Sequence, residues 1–473
     1  MSAANIINAD CLAALRDMPD ASMDAVVTDP PYGLSNTTPA QVAETITQWV
    51  TGNREYLPTG RGFMGHEWDG FVPPVAVWDE CLRVLKPGGH LLAFAGSRTH
   101  DLMTLGIRLA GFEIRDSVAW LYGSGMPKSL DVSKAIDKAG GNPLAFREFA
   151  DAYAAAVKAS PLKHSDIDRH LGIKSSSCYW ARHDHRGGMP PRHHWEKVRD
   201  LMGLDSTMER LYEAAEREVI GQGYRVDRHE GHVNYGSGTS EGFYDITVPA
   251  TDAARQWEGW GTAMKPAMEP ITLARKPLAG NVAANVQEHG TGALNIDGSR
   301  IGGPSGRWPA NVVLDESQAA ELDRQSGNVK TGATKPHLRD PGSSPMFKVG
   351  KWMTHSQAAS EGGASRFFYV AKAPKSERPV VDGTAHPTVK PLALMRWLVR
   401  MVTPPGGTVL DPFAGSGTTL EAAVLEGFDA VGIEREADYL PLIRARLERA
   451  TTTLAAQAEA EGDTLFPIDG AAS

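Results

Sequence analysis

No stretch of this chain approaches the roughly 18 consecutive apolar residues that a membrane-spanning helix needs, so no membrane partner is expected. The opening residues, MSAANIINADCLAAL, have no basic segment leading into an apolar one, and no secretory leader is read there. Cysteine is scarce: Cys11, Cys81 and Cys178 are the three present, far apart in sequence. They make no disulfide framework and suit a reducing cytoplasm. Positive charge is not in surplus either. A net charge of −9 over 473 residues excludes a uniformly basic coat for nucleic acid. No internal repeat is visible.

What basic charge there is lies unevenly. From Lys158 to Arg199 there are nine Lys/Arg against four Asp/Glu, with six of the fifteen histidines. From Lys330 to Arg400 there are twelve Lys/Arg against four acids. The segment Thr451 to Ser473 has four acids and no base. A polyanion could settle on the two basic segments, although solvated faces would read the same way. Hydrophobic content of 41% and charged content of 22% are ordinary for a globular chain of two or three domains.

Residues 1–143 alternate short apolar runs with helical patterns, the signature of a parallel α/β sheet. DAVVTDP, HLLAFAGS and FEIRDSVAWLYG read as strands, and PPVAVWDECLRVLKPGG as a helix closed by its glycines. Residues 144–222 change character: FREFADAYAAAVKAS, SDIDRHLGI and HHWEKVRDLMGL are short amphipathic helices, an inserted module. Residues 223–280 read as loop as far as 265, followed by a returning strand, EPITLARKPL. Residues 281–385, rich in Gly, Ser, Asn and Pro, read as irregular. Strands and helices resume over 386–450, and 451–473 reads as a disordered acidic tail.

Two stretches carry chemistry. In AVVTDPPYG an apolar strand runs into Asp29, Pro30, Pro31 and Tyr32. Two adjacent prolines fix φ and donate no hydrogen bond, and the first biases Asp29 to an extended backbone. The result is a stiff corner past a strand's C-terminal end, the edge at which open α/β sheets bind ligands. In VLDPFAGSGTT a strand ends at Asp411, glycines 415 and 417 allow a ligand to approach the backbone, and a helix begins near Thr418. About 20 residues on, the strand AVGIE ends in Glu434, placed to bind ribose hydroxyls. Together these describe a nucleoside-binding βαβ unit. No Lys-Ser/Thr follows the glycines, so it is not a P-loop.

The pair DPPY and DPFAGSGTT resembles motifs IV and I of the S-adenosylmethionine-dependent DNA amino-methyltransferases. Their order, corner first and glycine loop last with a variable region between, resembles the β class. HPTVKP (His386–Pro391) resembles motif X, INADCLAAL the opening segment whose acid lies near the cofactor's adenine, and YGSGMPKS and GRWPANVVLD segments of phage and bacterial members. The resemblance implies a seven-stranded, mostly parallel Rossmann-like α/β sheet with helices on both faces, the helical insert and a target-recognition region at 281–385 added to it. It implies S-adenosyl-L-methionine as cofactor, held by Asp10, Asp29, Lys390, Asp411, Phe413, Ala414, Gly415, Ser416, Gly417, Thr418, Thr419 and Glu434. The catalytic group would be Asp29, Pro30, Pro31 and Tyr32, acting on a flipped-out base of double-stranded DNA. A homodimer and a companion restriction endonuclease stay open.

An exocyclic amine is a poor nucleophile because its lone pair is delocalised into the ring. Asp29 and the bare carbonyl of Pro30 can each accept one amine hydrogen and localise that lone pair, while Tyr32 stacks on the base. Asp at the first corner position favours adenine N6 over cytosine N4, where Ser is more usual. None of the three cysteines follows a proline, which argues against C5-cytosine chemistry. A non-catalytic DNA-binding regulator on the same fold is a further alternative, disfavoured because every expected catalytic residue is present. HSDIDRHLGIKSSSCYWARHDHRGG resembles a repressor-like helix-turn-helix, with Lys174, Arg182, Arg186 and Arg192 as phosphate contacts; helical decoration of the sheet reads equally well. The spacing of Cys178, His183, His185, His193 and His194 matches no zinc pattern, and no metal site is expected.

Overall fold

A computed structural model of the chain describes all residues except 1–2, 36, 61–68, 126–128, 140–143, 174–176, 183–187, 217–218, 226–241, 250, 304, 334–337, 340–351, 354–358, 372–376, 378, 382, 387 and 465–473. The chain forms two compact units, Met1–Gly125 with Pro266–Ser473, and Met126–Lys265.

The first unit is built on one sheet. Its strands are β1 (Ala4–Asn8), β2 (Met23–Thr28), β3 (Leu85–Phe94), β4 (Glu113–Leu121), β5 (Met268–Arg275), β6 (Val312–Asp315), β7 (Tyr369–Ala371), β8 (Thr408–Asp411) and β9 (Asp429–Glu434). They lie in the order β1-β9-β8-β2-β3-β5-β4-β6-β7. Neighbours are parallel except where β5 runs antiparallel to both β3 and β4. The central strand β2 is buried along its length, as expected of a strand covered on both faces. Ala25 and Val27 pack with Leu92 and Phe94 against helices α3 (Leu392–Val402) and α4 (Thr418–Leu425). Val26 turns to the other face, with Leu91, Ala93 and the Trp78 and Cys81 side chains of α2 (Val75–Val84).

This is the doubly wound α/β architecture, with nine strands where seven were expected. The two extra lie inside 281–385, expected to be irregular: β6 and β7 extend the sheet beyond β4. Three further expectations need correction. The segment Leu85–Gly89, read as the end of a helix, belongs to β3. There the register jumps from Met23↔Leu85 to Ala25↔His90, a bulge that accommodates Pro87 within a strand. The loop expected from 223 to 265 contains paired strand, Val219–Arg225 against Gly242–Thr247. Residues 451–464, expected to be disordered, continue helix α5 (Leu440–Thr464).

The second unit has its own core. Phe149, Tyr153, Ile167, Trp180, Trp195, Val198 and Tyr212 are buried together, with Trp195 stacked on Tyr212 at 4.7 Å between ring centres. Helix His164–Leu171 ends at Gly172 in a left-handed conformation, φ +69°, which an L side chain adopts only at a cost. Helix Ser177–Trp180 follows, its first N–H donating to the buried Asp168 carboxylate at 2.9 Å.

Candidate active site

The chain leaves β2 toward β3 on one side and leaves β8 toward β9 on the other, while β2 and β8 are themselves neighbours. That is a topological switch point, where the C-terminal ends of adjacent strands open a crevice. Both sequence motifs arrive there. Asp29 follows the last residue of β2, and Asp411 is the last of β8. Thr28 bolts them together, its hydroxyl donating to Asp411 Oδ1 at 2.6 Å.

On the cofactor side, Asp411 also accepts the Phe413 N–H at 3.1 Å. Burial pushes its carboxyl up to about 6, against the lowering pull of the Thr28 and Thr419 hydroxyls. The turn 415–417 is held by both its neighbours: Gly415 N–H donates to Glu434 Oε2 at 2.7 Å, and Gly417 N–H to the Ala414 carbonyl at 2.7 Å. Gly417 has φ +83°, and a Cβ there would lie 2.9 Å from Ile443. Ser416, Thr418 and Thr419 are buried in the turn and first helical residues. Glu434 accepts a second N–H, from Glu436, at 2.8 Å; burial raises its carboxyl despite these bonds. Asp10 caps α1 (Cys11–Arg16), accepting from Leu12 and Ala13. It lies two residues beyond Asn8, which is paired in register with Glu434, so the acids of β1 and β9 share one edge.

At the corner, Asp29 is surrounded. Tyr32 Oη donates to its Oδ1 at 2.8 Å, and Lys390 Nζ donates to its Oδ2 at 2.6 Å. Lys390, expected among the cofactor contacts, thus has its ammonium on the Asp29 carboxylate. It also reaches Glu269 Oε2 at 3.3 Å and faces the rings of Tyr32 and Phe94 at 5.2 and 5.1 Å. Burial alone would lower the Lys390 ammonium's pKa; Asp29 and Glu269 more than offset it and hold the value above the ordinary one. The loop that carries Lys390 also presents His386 to the other motif, within 3.1 Å of where a Cβ on Gly415 would sit.

Two residues here escaped the sequence. Asp69, buried, accepts both the Tyr32 and Gly33 N–H groups at 2.8 and 3.0 Å and so fixes the corner's exit. Glu269 heads the apolar strand β5, and an acid there was the available signal; it accepts from Tyr32 Oη at 2.9 Å. In the second unit, Arg192, expected as a phosphate contact, is ion-paired with Glu196, Glu209, Glu213 and Glu216, with its side chain 41% exposed. Lys174 and Arg186 lie outside the described residues, and Arg182 is held by other interactions. Among the described residues no group of three or more His, Cys, Asp or Glu could hold a metal ion. None of their helices is long and apolar enough to cross a membrane.

Fold and site together define a Rossmann-like methyltransferase. The sequence matches the DNA methylase family over residues 23–200 and 266–445, and the chain belongs to that family of N6 and N4 amino-methylases. Among curated relatives, the type II methyltransferase M.ScaI of Streptomyces caespitosus is 40% identical over 79 residues, 17% of this chain and 26% of the relative. The DNA adenine methyltransferase YhdJ of Escherichia coli (strain K12) is 42% identical over 66 residues, 14% and 22% respectively. The chain thus spans about a quarter of the length of the curated relatives it matches. Among solved structures, the cytosine-N4-specific PvuII DNA methyltransferase aligns at TM-score 0.39 and 12% identity, over 96% of this chain and 91% of that one. M1.HpyAVI aligns at TM-score 0.35 and 12% identity, over 94% and 98%.

The family's cofactor is S-adenosylmethionine, and the residues present fit it. The segment from Asp411 to Thr419 carries a buried carboxylate and no base, which suits a cationic amino acid and sulfonium rather than a polyphosphate. Glu434 keeps acceptor capacity for a ribose diol, since each carboxylate oxygen has two lone pairs.

Proposed function

We propose that this chain is a site-specific DNA methyltransferase that methylates the N6 amine of a flipped-out adenine. The observation that carries the reading is the placement of Asp29 beside Asp411 at one switch point, tied through Thr28. Asp411, Phe413, the 415–417 turn and Glu434 would hold S-adenosylmethionine, which would supply an electrophilic methyl group. The Asp29 carboxylate and the Pro30 carbonyl each accept one hydrogen of the amine and turn its lone pair outward. Asp29 would take the proton that the amine sheds as the N–C bond forms and the methyl's bond to the sulfonium sulfur breaks, leaving a neutral thioether. The Pro-Pro pair and the Asp69 bonds to the Tyr32 and Gly33 N–H groups hold the backbone of the corner, and with it the Pro30 carbonyl, in place before substrate arrives. Tyr32 stacks on the extruded base, which offsets part of the few kcal/mol that flipping costs.

The same corner would serve the N4 amine of cytosine. Asp rather than Ser at position 29 favours adenine, and the presence of Asp29, Tyr32 and both loop glycines disfavours a non-catalytic regulator. Double-stranded DNA is the partner, with 281–385 reading bases and the basic part of the helical unit contacting phosphates. The test is incubation with methyl-labelled S-adenosylmethionine and unmethylated double-stranded DNA, then digestion to nucleosides and mass spectrometry. N6-methyladenine is expected. N4-methylcytosine would overturn the choice of base and leave the mechanism standing.

A further inference from the structure

Asp29 is the acceptor on which the proposed reaction depends, yet both its oxygens are taken. Tyr32 Oη occupies Oδ1 at 2.8 Å and Lys390 Nζ occupies Oδ2 at 2.6 Å. The same two donors also lie within reach of a single oxygen of Glu269, at 2.9 Å for Tyr32 Oη and 3.3 Å for Lys390 Nζ. One phenol carries one proton, so Tyr32 cannot serve both carboxylates fully. One ammonium likewise faces two carboxylates. The donors are shared between two acids, with Asp29 holding the shorter distances.

Glu269 reaches this position because β5 runs against its neighbours. Its N-terminal end therefore lies at the edge where the parallel strands have their C-terminal ends. The surroundings are dry: the Lys390 side chain is 8% exposed, and those of Asp29 and Glu269 are 22% and 20% exposed. A buried ammonium does not leave its only counter-charge without a large penalty. It can leave Asp29 when a second carboxylate already stands beside it.

We propose that Glu269 is a positioning residue that takes over the Lys390 ammonium and the Tyr32 hydroxyl when Asp29 turns to the amine of the base. This rests on the methyltransferase reading above. In the resting site the two donors keep Asp29 rotationally fixed and charge-compensated. In the reacting site Glu269 holds them, and Asp29 is free to accept a hydrogen bond and then a proton. Without the Glu269 charge, Lys390 and Asp29 form a balanced pair that does not open.

Full-length wild type, Glu269→Gln, Glu269→Asp and the double variant Glu269→Gln/Lys390→Met test this in single turnover at saturating S-adenosylmethionine on unmethylated DNA. Glu269→Gln is expected to lower the rate constant of methyl transfer about 100-fold, the scale of a misplaced catalytic group. Its cofactor affinity by calorimetry should be unchanged. Its melting temperature without cofactor should be no lower than wild type, because an excess buried negative charge has gone. Glu269→Asp should recover part of the rate. The double variant should be faster than Glu269→Gln, because removing the ammonium releases Asp29. A double variant slower than Glu269→Gln, a Glu269→Gln enzyme as fast as wild type, or a melting loss that accounts for the rate loss would each overturn the proposal. Wild type that methylates no base would overturn the methyltransferase reading, and this inference with it.

Discussion

Burial of Asp411 makes the folded state's stability depend on pH in a direction opposite to that of most carboxylates. The residue is 2% exposed, and burial pushes its carboxyl up to about 6 from the ordinary 3.8. Because the folded value is the higher, the native state binds an extra proton between about pH 4 and 6. Stability from this group therefore falls as pH rises through that window and is level above it. At 1.36 kcal/mol per unit, the displacement is worth about 3 kcal/mol. The informative perturbation is Asp411→Asn, which keeps the shape and removes the titration. Asn keeps an Oδ1 that can accept the Thr28 hydroxyl, so any change in neutral hydrogen bonding shifts the two proteins apart by a constant. The pH-dependent part of the difference belongs to the carboxyl. Urea unfolding of both proteins from pH 4 to 8 should show wild type losing about 2.4 kcal/mol relative to the variant between pH 4 and 7, the rest of the displacement falling below pH 4. A difference that stays flat across that range refutes the argument. The same titration has a functional side: the ionised carboxylate is the form that pairs with a cationic amino group, so cofactor affinity should drop as pH falls below about 6.

Three further outcomes follow from the packing. Glu421 of α4 is fully buried with Arg446, whose guanidinium donates to it at 2.6 Å. Glu421→Gln leaves that charge uncompensated and should cost about 3–5 kcal/mol in chemical denaturation, whereas Glu421→Leu with Arg446→Met should cost less. Gly417→Ala places a Cβ 2.9 Å from Ile443 at φ +83°. Calorimetry should show cofactor affinity lowered at least about ten-fold, since strain of about 1–2 kcal/mol falls on the turn itself. Asp69→Ala strips the acceptor from two corner N–H groups, each worth about 1–3 kcal/mol if left unsatisfied. It should lower both the melting temperature and the transfer rate, while leaving the bonds of the 415–417 turn, and hence cofactor affinity, intact.

The parts of the site legible in the sequence are those whose residues are neighbours along it. Asp29 to Tyr32 and Asp411 to Thr419 announce themselves because proline, glycine and a strand-end acid act locally. Lys390 was legible through its motif, but not its place: it meets Asp29 across 361 residues. Glu269 meets Tyr32 across 237 residues, and nothing in a window around either one encodes the contact. The antiparallel direction of β5 brings Glu269 to the corner, and strand direction is a property of the sheet. β6 and β7 were missed because four and three residues are too few to show a period of two. The ion pairs of Arg192 with Glu209, Glu213 and Glu216 are not legible in its charge window, because these acids lie beyond it, on the following helix and its end.

The most direct test of the account compares wild type with Asp29→Ala for methyl transfer to DNA under single-turnover conditions, with cofactor binding measured in parallel. The account expects N6-methyladenine from wild type, none above background from the variant, and cofactor bound in both once it is supplied at saturation. An Asp29→Ala protein that methylates DNA at the wild-type rate would contradict the role of the corner. Wild type that binds S-adenosylmethionine and leaves every DNA unmethylated would contradict the reading as a DNA methyltransferase.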